Sequence, residues 1–247
     1  MPLLRFLFAT SPGKKLLNGA TGLLLVGFVI VHLLGNFTFL IGPRAFNGYA
    51  HFLETLVHGW FLVAAEIALL ATFLGHAAAG TIVWLDGRRA RSTGYARAGD
   101  AGGPSRKTLA SRTMIWTGLA LALFIVLHVR MFRFGPAYVI ETGGAIEGAE
   151  VARIRDLYGL VVQAFRSPVT TWAYVVVMAL LGFHLRHGFW SAFQSLGLTN
   201  ARIIPGLWAA ALAVALVLAA GFLFLPLYIH YAIDPALARV ALPGGGA

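Results

Sequence analysis

Residues 203–233 read IIPGLWAAALAVALVLAAGFLFLPLYIHYAI and contain no Asp, Glu, Lys or Arg. A helix needs about 20 apolar residues to cross the hydrocarbon core of a bilayer, and this run exceeds that length. Three other runs, residues 16–43, 113–129 and 167–185, are also uncharged, and residues 57–85 carry only Glu66. The sequence therefore predicts five membrane-spanning helices. We place them at residues 16–41, 57–85, 112–135, 167–188 and 203–232.

The overall composition supports this assignment. Of the 247 residues, 59% are apolar and 11% are charged, whereas a typical soluble domain is about a quarter charged. The mean hydropathy is +0.79. We expect an all-α membrane protein that forms a single transmembrane domain over residues 1–247, and a soluble globular fold is excluded.

The sequence lacks the motifs of several protein classes. It contains no cysteine, so it cannot build a disulfide, a thiolate zinc site or a Cys-ligated iron–sulfur cluster. No Rossmann or P-loop glycine motif occurs. The first apolar run follows Lys14 and Lys15 and is too long for a signal-peptide core, so we expect it to be retained as a helix.

The distribution of the 19 Lys and Arg residues predicts the topology. Most of them fall on the side of the membrane that carries the N-terminus. The positive-inside rule then puts the N-terminus in the cytoplasm and the C-terminus outside. This bias accounts for the net charge of +10, so no nucleic-acid partner is predicted.

The same topology assigns the segments between the spans. Residues 86–111 form a basic cytoplasmic loop, which also offers a docking surface for a cytoplasmic partner. Residues 136–166 form an external segment. Within the external segment, residues 152–165 have the apolar spacing of a surface helix, and the final residues, PGGGA, are expected to be a frayed tail.

Four of the eight histidines lie well inside predicted spans, one on each of the first four: His32, His76, His128 and His184. At 1.5 Å per residue, His32 and His128 lie about 13 and 10 Å below the outer surface, and His76 and His184 about 28 and 24 Å below it. Ionisable residues inside a membrane are costly and usually functional. The histidines therefore form two pairs at matched depths.

Two imidazoles facing each other between helices are the axial ligands that b-type haem requires. Small residues near the ligands would let a flat macrocycle approach the backbone, and these are Gly22, Gly35, Gly75, Gly118 and Gly182. The alternative is that the histidines hydrogen-bond between helices and the glycines only pack them. His187 competes with His184 as the fourth ligand, His51 and His58 are surface or quinone-handling residues, and His230 is expected to be structural.

Several segments resemble the five-helix, diheme cytochrome b anchor subunit of succinate dehydrogenase and fumarate reductase. They are SPGKK (11–15), ATG (20–22), HLLGN (32–36), FNGYA (46–50) and GFHLRHGFWSAFQSLG (182–197). The similarity covers about residues 8–232. The resemblance implies haem ligation by one histidine from each of the first four helices, at the same four positions that the depths select.

The resemblance also implies the activity and its partners. The chain would be the quinone-reactive subunit of succinate:quinone oxidoreductase (respiratory complex II), without a flavin or dicarboxylate site of its own. It would anchor a flavoprotein and an iron–sulfur subunit on the cytoplasmic face of a bacterial inner membrane. It would pass electrons to or from a quinone, commonly menaquinone, through two b haems, in contact with lipid and within an oligomer of the whole complex.

One position departs from some diheme members of that family. Two residues before the fourth-helix histidine they carry a glutamate that returns protons across the membrane, whereas this chain has Gly182. That proton path is therefore not expected here. Glu66 is the only carboxylate within a predicted span, and it is either a packing residue or a proton relay.

Haem propionates and quinone need polar partners near the membrane faces. The propionate candidates are Lys15, Asn18, Ser111 and Arg112 on the inner side and Arg130, Arg166 and Ser167 on the outer side. For the quinone, the outer mouth of the second span offers Asn47, Tyr49, His51 and Glu54. We expect Glu54 to be the proton acceptor, with His51 second; the alternative is that both only cap the helix or meet solvent.

Two other functions remain open at this point. One is a membrane anchor with one haem or none, and the other is a transporter that uses a histidine proton relay.

Overall fold

The computed structural model describes residues 2–90, 108–142 and 152–234. Residues 91–107, which make up most of the predicted basic loop, lie outside the described residues. So do residues 143–151 of the external segment and the predicted frayed tail.

The described part of the chain is mostly helical. Its elements are α1 (Pro2–Ala9), α2 (Ser11–Phe37), α3 (Pro43–Thr55), α4 (Trp60–Arg89), α5 (Leu109–Phe132), β1 (Val139–Thr142), β2 (Ala152–Arg155), α6 (Leu157–Phe165), α7 (Pro168–Ser195) and α8 (Ile204–Ala232). Short 3-10 turns at Thr38–Leu40 and Leu56–Gly59 flank α3. Five helical segments are long and apolar enough to cross a membrane, which confirms the predicted number of spans: Ser11–Leu40, Pro43–Arg89, Leu109–Phe132, Pro168–Ser195 and Ile204–Ala232.

The spanning helices expose large apolar side chains along their lengths, as lipid contact requires. Leu24, Ile67, Leu123 and Val217 are each more than 60% exposed on four different helices. In water such surfaces would be aggregation sites. The chain is therefore a multi-pass membrane protein.

Local capping explains where several helices begin. The hydroxyl of Thr10 accepts a hydrogen bond from the Gly13 amide at the start of α2. Before α5, the Thr108 and Ser111 hydroxyls each accept a hydrogen bond from the other residue's backbone amide. These groups satisfy amides that the first turn of a helix leaves without partners.

The second span is preceded by a separate helix that the charge pattern does not reveal. α3 starts at Pro43, after Gly42 with a φ of 125°, and it ends at Thr55. The chain then turns through Val57 and His58, both with left-handed backbone conformations, before α4 begins at Trp60. The residues placed at the mouth of the second span thus lie on their own helix.

The external segment differs from the prediction of one surface helix over residues 152–165. Residues 152–155 form β2, which pairs antiparallel with β1, with Val139 opposite Arg155. The helix starts only at Leu157, because the carboxylate of Asp156 accepts the Gly159 amide and caps it. The fold is therefore helical with one added two-stranded sheet.

The chain divides into two compact units. Of the described residues, the first unit comprises 2–30, 66–90, 108–122 and 179–219, and the second comprises 31–65, 123–142, 152–178 and 220–234. His76 and His184 belong to the first unit, whereas His32 and His128 belong to the second.

A buried polar link fixes α3 to α6 in the second unit. Asn47 is 1% exposed; its side-chain amide donates to Asp156, and its carbonyl accepts the Tyr158 amide, both at 2.8 Å. The rings of Phe39 and Tyr158 stack beside it with centroids 4.1 Å apart. Burial raises the pKa of the Tyr158 phenol, and nearby Tyr228 and Asp156 add to this effect. The phenol is therefore protonated at neutral pH.

Candidate functional site

The first unit contains one pair of facing histidines. His76 on α4 and His184 on α7 have ring centroids 6.3 Å apart, with an angle of 72° between the ring planes. His187, the competing ligand, packs its ring edge-on against Trp190 at 5.8 Å. His184 is therefore the residue that faces His76.

The second unit contains the other pair. The ring centroids of His32 on α2 and His128 on α5 lie 5.8 Å apart, and the ring planes are nearly perpendicular, at 88°. Phe222 stacks on the ring of His32 at 6.0 Å, and Phe124 lies 5.4 Å from the ring of His128. Apolar rings thus border both imidazoles.

These separations can be compared with that of two imidazoles that hold a metal between them. A metal–nitrogen bond of about 2 Å, with about 1.2 Å from that nitrogen to its ring centre, would put the two centroids about 6.4 Å apart. The separation of His76 and His184 is close to this value, and that of His32 and His128 is about 0.6 Å shorter.

The hydrogen bonds of His76 leave one ring nitrogen for a ligand. Nδ1 of His76 lies 3.2 Å from the backbone carbonyl oxygen of Asn18 and 3.4 Å from the hydroxyl of Thr21. A metal-binding histidine typically donates its other N–H to such an acceptor, which fixes the ring and its tautomer. With Nδ1 protonated and bound to the carbonyl, Nε2 carries the lone pair.

His184 and His128 are held in the same way by hydroxyl groups. Nδ1 of His184 lies 3.1 Å from the hydroxyl of Thr117, which is 4% exposed. Nδ1 of His128 lies 3.1 Å from the hydroxyl of Tyr174. If Nδ1 donates in each of these contacts, Nε2 is the ring nitrogen with a lone pair in three of the four candidate ligands.

Two of the five glycines singled out in the sequence lie against the candidate ligands. A Cβ at Gly22 would lie 3.1 Å from Cε1 of His76, and one at Gly118 would lie 3.5 Å from Cε1 of His184. Gly35 instead makes room for the ring of Tyr49, Gly75 lies near Thr21, and Gly182 packs against Ala219. Gly22 and Gly118 thus keep the edges of the imidazoles clear.

The candidate propionate partners fall into three groups. Arg112, Arg130, Arg166 and Lys15 are exposed, whereas Ser111 and Ser167 accept backbone amides at the starts of α5 and α7. Asn18 differs from both groups, because its side-chain Oδ1 is buried and has no hydrogen-bond partner. This oxygen only accepts hydrogen bonds, so an ionised propionate could pair with Asn18 only through the Nδ2 amide group.

The quinone candidates lie on or beside α3. His51 and Glu54 are partly exposed, and the ring of Tyr49 lies against Gly35. Asn47 belongs to the link between α3 and α6 and has both ends of its amide engaged. Asn47 is also 1% exposed, so the link and its burial place it in a structural role, whereas His51 and Glu54 are partly exposed and can exchange protons.

The structure also places the three other ionisable residues named in the sequence analysis: His58, His230 and Glu66. His58 is exposed in the left-handed turn before α4. Nδ1 of His230 lies 2.7 Å from the backbone carbonyl oxygen of Phe165, which ties α8 to the end of α6. Glu66 lies partly buried on α4.

The residues that hold the imidazoles were not among those predicted from the sequence: Thr21, Thr117 and Tyr174. A repeat would have revealed the two threonines. Residues 21–32 read TGLLLVGFVIVH and residues 117–128 read TGLALALFIVLH. Both begin with Thr-Gly and end with a candidate ligand. In each copy the Thr and Gly contact the histidine of another helix within the first unit.

Comparison with known proteins finds no matching family model, curated protein or solved structure. Within residues 2–90, 108–142 and 152–234, no three or more His, Asp or Glu residues are grouped so as to hold a metal ion. Bis-His haem needs only two protein ligands, so the paired histidines are the relevant candidate sites.

Proposed function

We propose that the chain is the diheme cytochrome b anchor of a succinate:quinone oxidoreductase, acting as succinate dehydrogenase or fumarate reductase. Two facing histidine pairs, with ring centroids 6.3 and 5.8 Å apart, carry this proposal. The hydrogen bonds to Nδ1 support it, because they leave Nε2 free for coordination in His76, His184 and His128. Histidines that only hydrogen-bond between helices would not need to face each other in pairs. They would also not need to be held through the same ring nitrogen.

In this proposal His76 and His184 hold one b haem, and His32 and His128 hold the other. A bound haem supplies reversible one-electron exchange, and the protein tunes it through ligands, hydrogen bonds and burial. The chain's residues orient the imidazoles, border them with apolar rings and keep space at Gly22 and Gly118. Asn18, Lys15 and Arg112 are proposed as propionate partners for one haem, and Arg130 and Arg166 for the other.

The proposal includes the chain's surroundings. The N-terminus is cytoplasmic in a bacterial inner membrane, and the first four spans form the haem-binding bundle. The iron–sulfur and flavoprotein subunits dock on the cytoplasmic face, where basic residues lie near the ends of the spans. Quinone, proposed to be menaquinone, enters from the lipid and exchanges protons at Glu54, with His51 as the second candidate.

The test is electron transfer through the assembled complex. The tagged chain is purified from its native membrane in mild detergent, and the copurifying subunits are identified by mass spectrometry. We expect a flavoprotein and an iron–sulfur protein, with reduction of b-haem absorbance by succinate or by a menaquinol analogue. Malonate, a competitive inhibitor of succinate oxidation, should block the reduction by succinate only. A purified chain that carries haem but has neither partner would contradict the proposed complex.

A further inference from the structure

Tyr174 on α7 makes a contact within the second unit that the proposed function does not yet use. Its hydroxyl lies 3.1 Å from Nδ1 of His128 on α5. The same hydroxyl lies 4.0 Å from the sulfur of Met131, one turn after His128. A phenol therefore bridges the back of a candidate ligand and a thioether.

The direction of these hydrogen bonds follows from the chemistry of the ligand. An imidazole that coordinates through Nε2 is protonated at Nδ1 when it is neutral, so Nδ1 must donate. The phenol oxygen of Tyr174 then accepts the hydrogen bond from Nδ1. The hydroxyl proton points to the sulfur of Met131, which is a weak acceptor. If the phenol donated to Nδ1 of His128 instead, the imidazole proton would have to be on Nε2, and Nε2 could then not coordinate.

Aromatic packing holds the phenol in this position. The Tyr174 ring lies 4.8 Å from Phe124, at 78°, and 4.8 Å from Phe165, at 88°. Phe132 lies 6.3 Å away, also nearly perpendicular. These edge-to-face contacts fix the ring on several sides, so the oxygen is placed by packing rather than by the hydrogen bond alone.

We propose that Tyr174 is a positioning residue that orients His128 and lowers the reduction potential of the haem held by His32 and His128. The proposal rests on the proposed function. Accepting the N–H of a ligating imidazole raises the basicity of that ligand, which stabilises the oxidised metal. In the other pair the acceptors are the Asn18 carbonyl and the Thr117 hydroxyl. The two haem sites are therefore tuned by different groups.

The experiment compares Tyr174→Phe with wild type in the purified complex, by redox titration of the haem absorbance. Tyr174→Phe removes the hydroxyl, and with it both the acceptor for His128 and the weak donor to Met131. We expect the potential of one haem to rise, so that its ratio of reduced to oxidised form at a fixed potential increases about tenfold, equivalent to about 59 mV for one electron. The low-temperature electron paramagnetic resonance signal of the same oxidised haem should shift, because the ring orientation of His128 is no longer fixed.

Two controls separate this effect from a general disturbance. Tyr138→Phe removes another phenol oxygen of the second unit, one that donates to exposed Gln163, and it should leave both potentials unchanged. Thr117→Val removes the hydroxyl on His184 and should shift the other haem instead. Site-specific 3-fluorotyrosine at position 174 weakens the acceptor with almost no change in shape, and it should shift the same haem as Tyr174→Phe by a smaller amount.

The outcomes distinguish this inference from the proposed function. A wild-type complex without haem would overturn the proposed function itself. The role of Tyr174 alone would be overturned if both haems keep the same potentials and resonance signals in the Tyr174→Phe, 3-fluorotyrosine and Tyr138→Phe proteins. It would also be overturned if Tyr174→Phe shifts the same haem that Thr117→Val shifts.

Discussion

The hydroxyl of Thr117 lies 3.1 Å from Nδ1 of His184. Thr21 stands at the equivalent place in the other copy of the repeat, with its hydroxyl 3.4 Å from Nδ1 of His76. In both copies the following residue is a glycine that lies against the same imidazole. The two candidate ligands of the first unit, His76 and His184, are thus held by one local arrangement used twice.

The correspondence extends one turn along the helices. Gly80, four residues after His76, lies near the side chain of Asn18, whereas Gly188, four residues after His184, lies near Met114. Asn18 and Met114 each stand three residues before the Thr of their copy. At this position the two copies therefore differ, with a polar amide side chain near Gly80 and a methionine side chain near Gly188.

The fourth ligand can be tested by comparing neighbouring histidines. We expect His184→Ala to lose one haem, because His184 faces His76. His187→Ala should keep both haems, since the ring of His187 packs on Trp190. Haem content per chain, measured from the pyridine haemochrome spectrum, checks this. If His187→Ala loses a haem and His184→Ala keeps both, the fourth ligand is His187 and not His184.

The space beside His76 can be tested with a matched pair of glycine substitutions on α2. Gly22→Val would place side-chain atoms against the imidazole, since even a Cβ would lie 3.1 Å from Cε1. We expect it to abolish binding of one haem and to spare the other. Gly27→Val is the control, because a Cβ there meets no atom within 4 Å. Equal haem content in the two variants would show that Gly22 provides no necessary space.

The link between α3 and α6 predicts a stability effect independent of haem. Asn47→Ala leaves the buried Tyr158 amide without its acceptor and removes one donor from Asp156. Buried unsatisfied groups of this kind cost about 1–3 kcal/mol each. We expect a lower midpoint of thermal unfolding in detergent. Gln163→Ala, at an exposed position, should change stability by about 0.5 kcal/mol or less; a comparable loss in both variants would remove the special role of Asn47.

Quinone chemistry at α3 predicts a loss of turnover without loss of haem. Glu54→Gln keeps the shape of the side chain but removes its capacity to accept a proton, so quinone-linked activity should fall about 10²-fold or more. His51→Ala should have a smaller effect, and His58→Ala, in the exposed turn, should have none. Steady-state quinone reduction, with haem content measured in parallel, checks these expectations. Full activity in both Glu54→Gln and His51→Ala would move the quinone site elsewhere.

The five spans could be predicted because absence of charge over a membrane thickness is a strong and local signal. The elements outside the spans could not be predicted, because their sequence patterns are short and are compatible with more than one type of secondary structure. Residues 152–165 have helical apolar spacing, yet β2 pairs its first residues with β1, and the Asp156 cap sets the helix start. α3 was missed because its polar composition hides it between two apolar runs.

The histidine positions could be selected from depth alone, since a rise of 1.5 Å per residue converts sequence number into height. The groups that hold the rings could not be found this way. Tyr174 reaches His128 from another helix, and that contact depends on how the helices are rotated about their axes. Thr21 and Thr117 are recognisable only when residues 21–32 are compared with residues 117–128.

The central claim is that each histidine pair binds one b haem. The measurement that tests it most directly is the haem content of the wild-type protein purified from its native membrane, determined by the pyridine haemochrome spectrum against protein mass from amino-acid analysis. Two b haems per chain are expected. Fewer than two per chain, after purification under conditions that retain haem in other bis-His cytochromes, would contradict the claim.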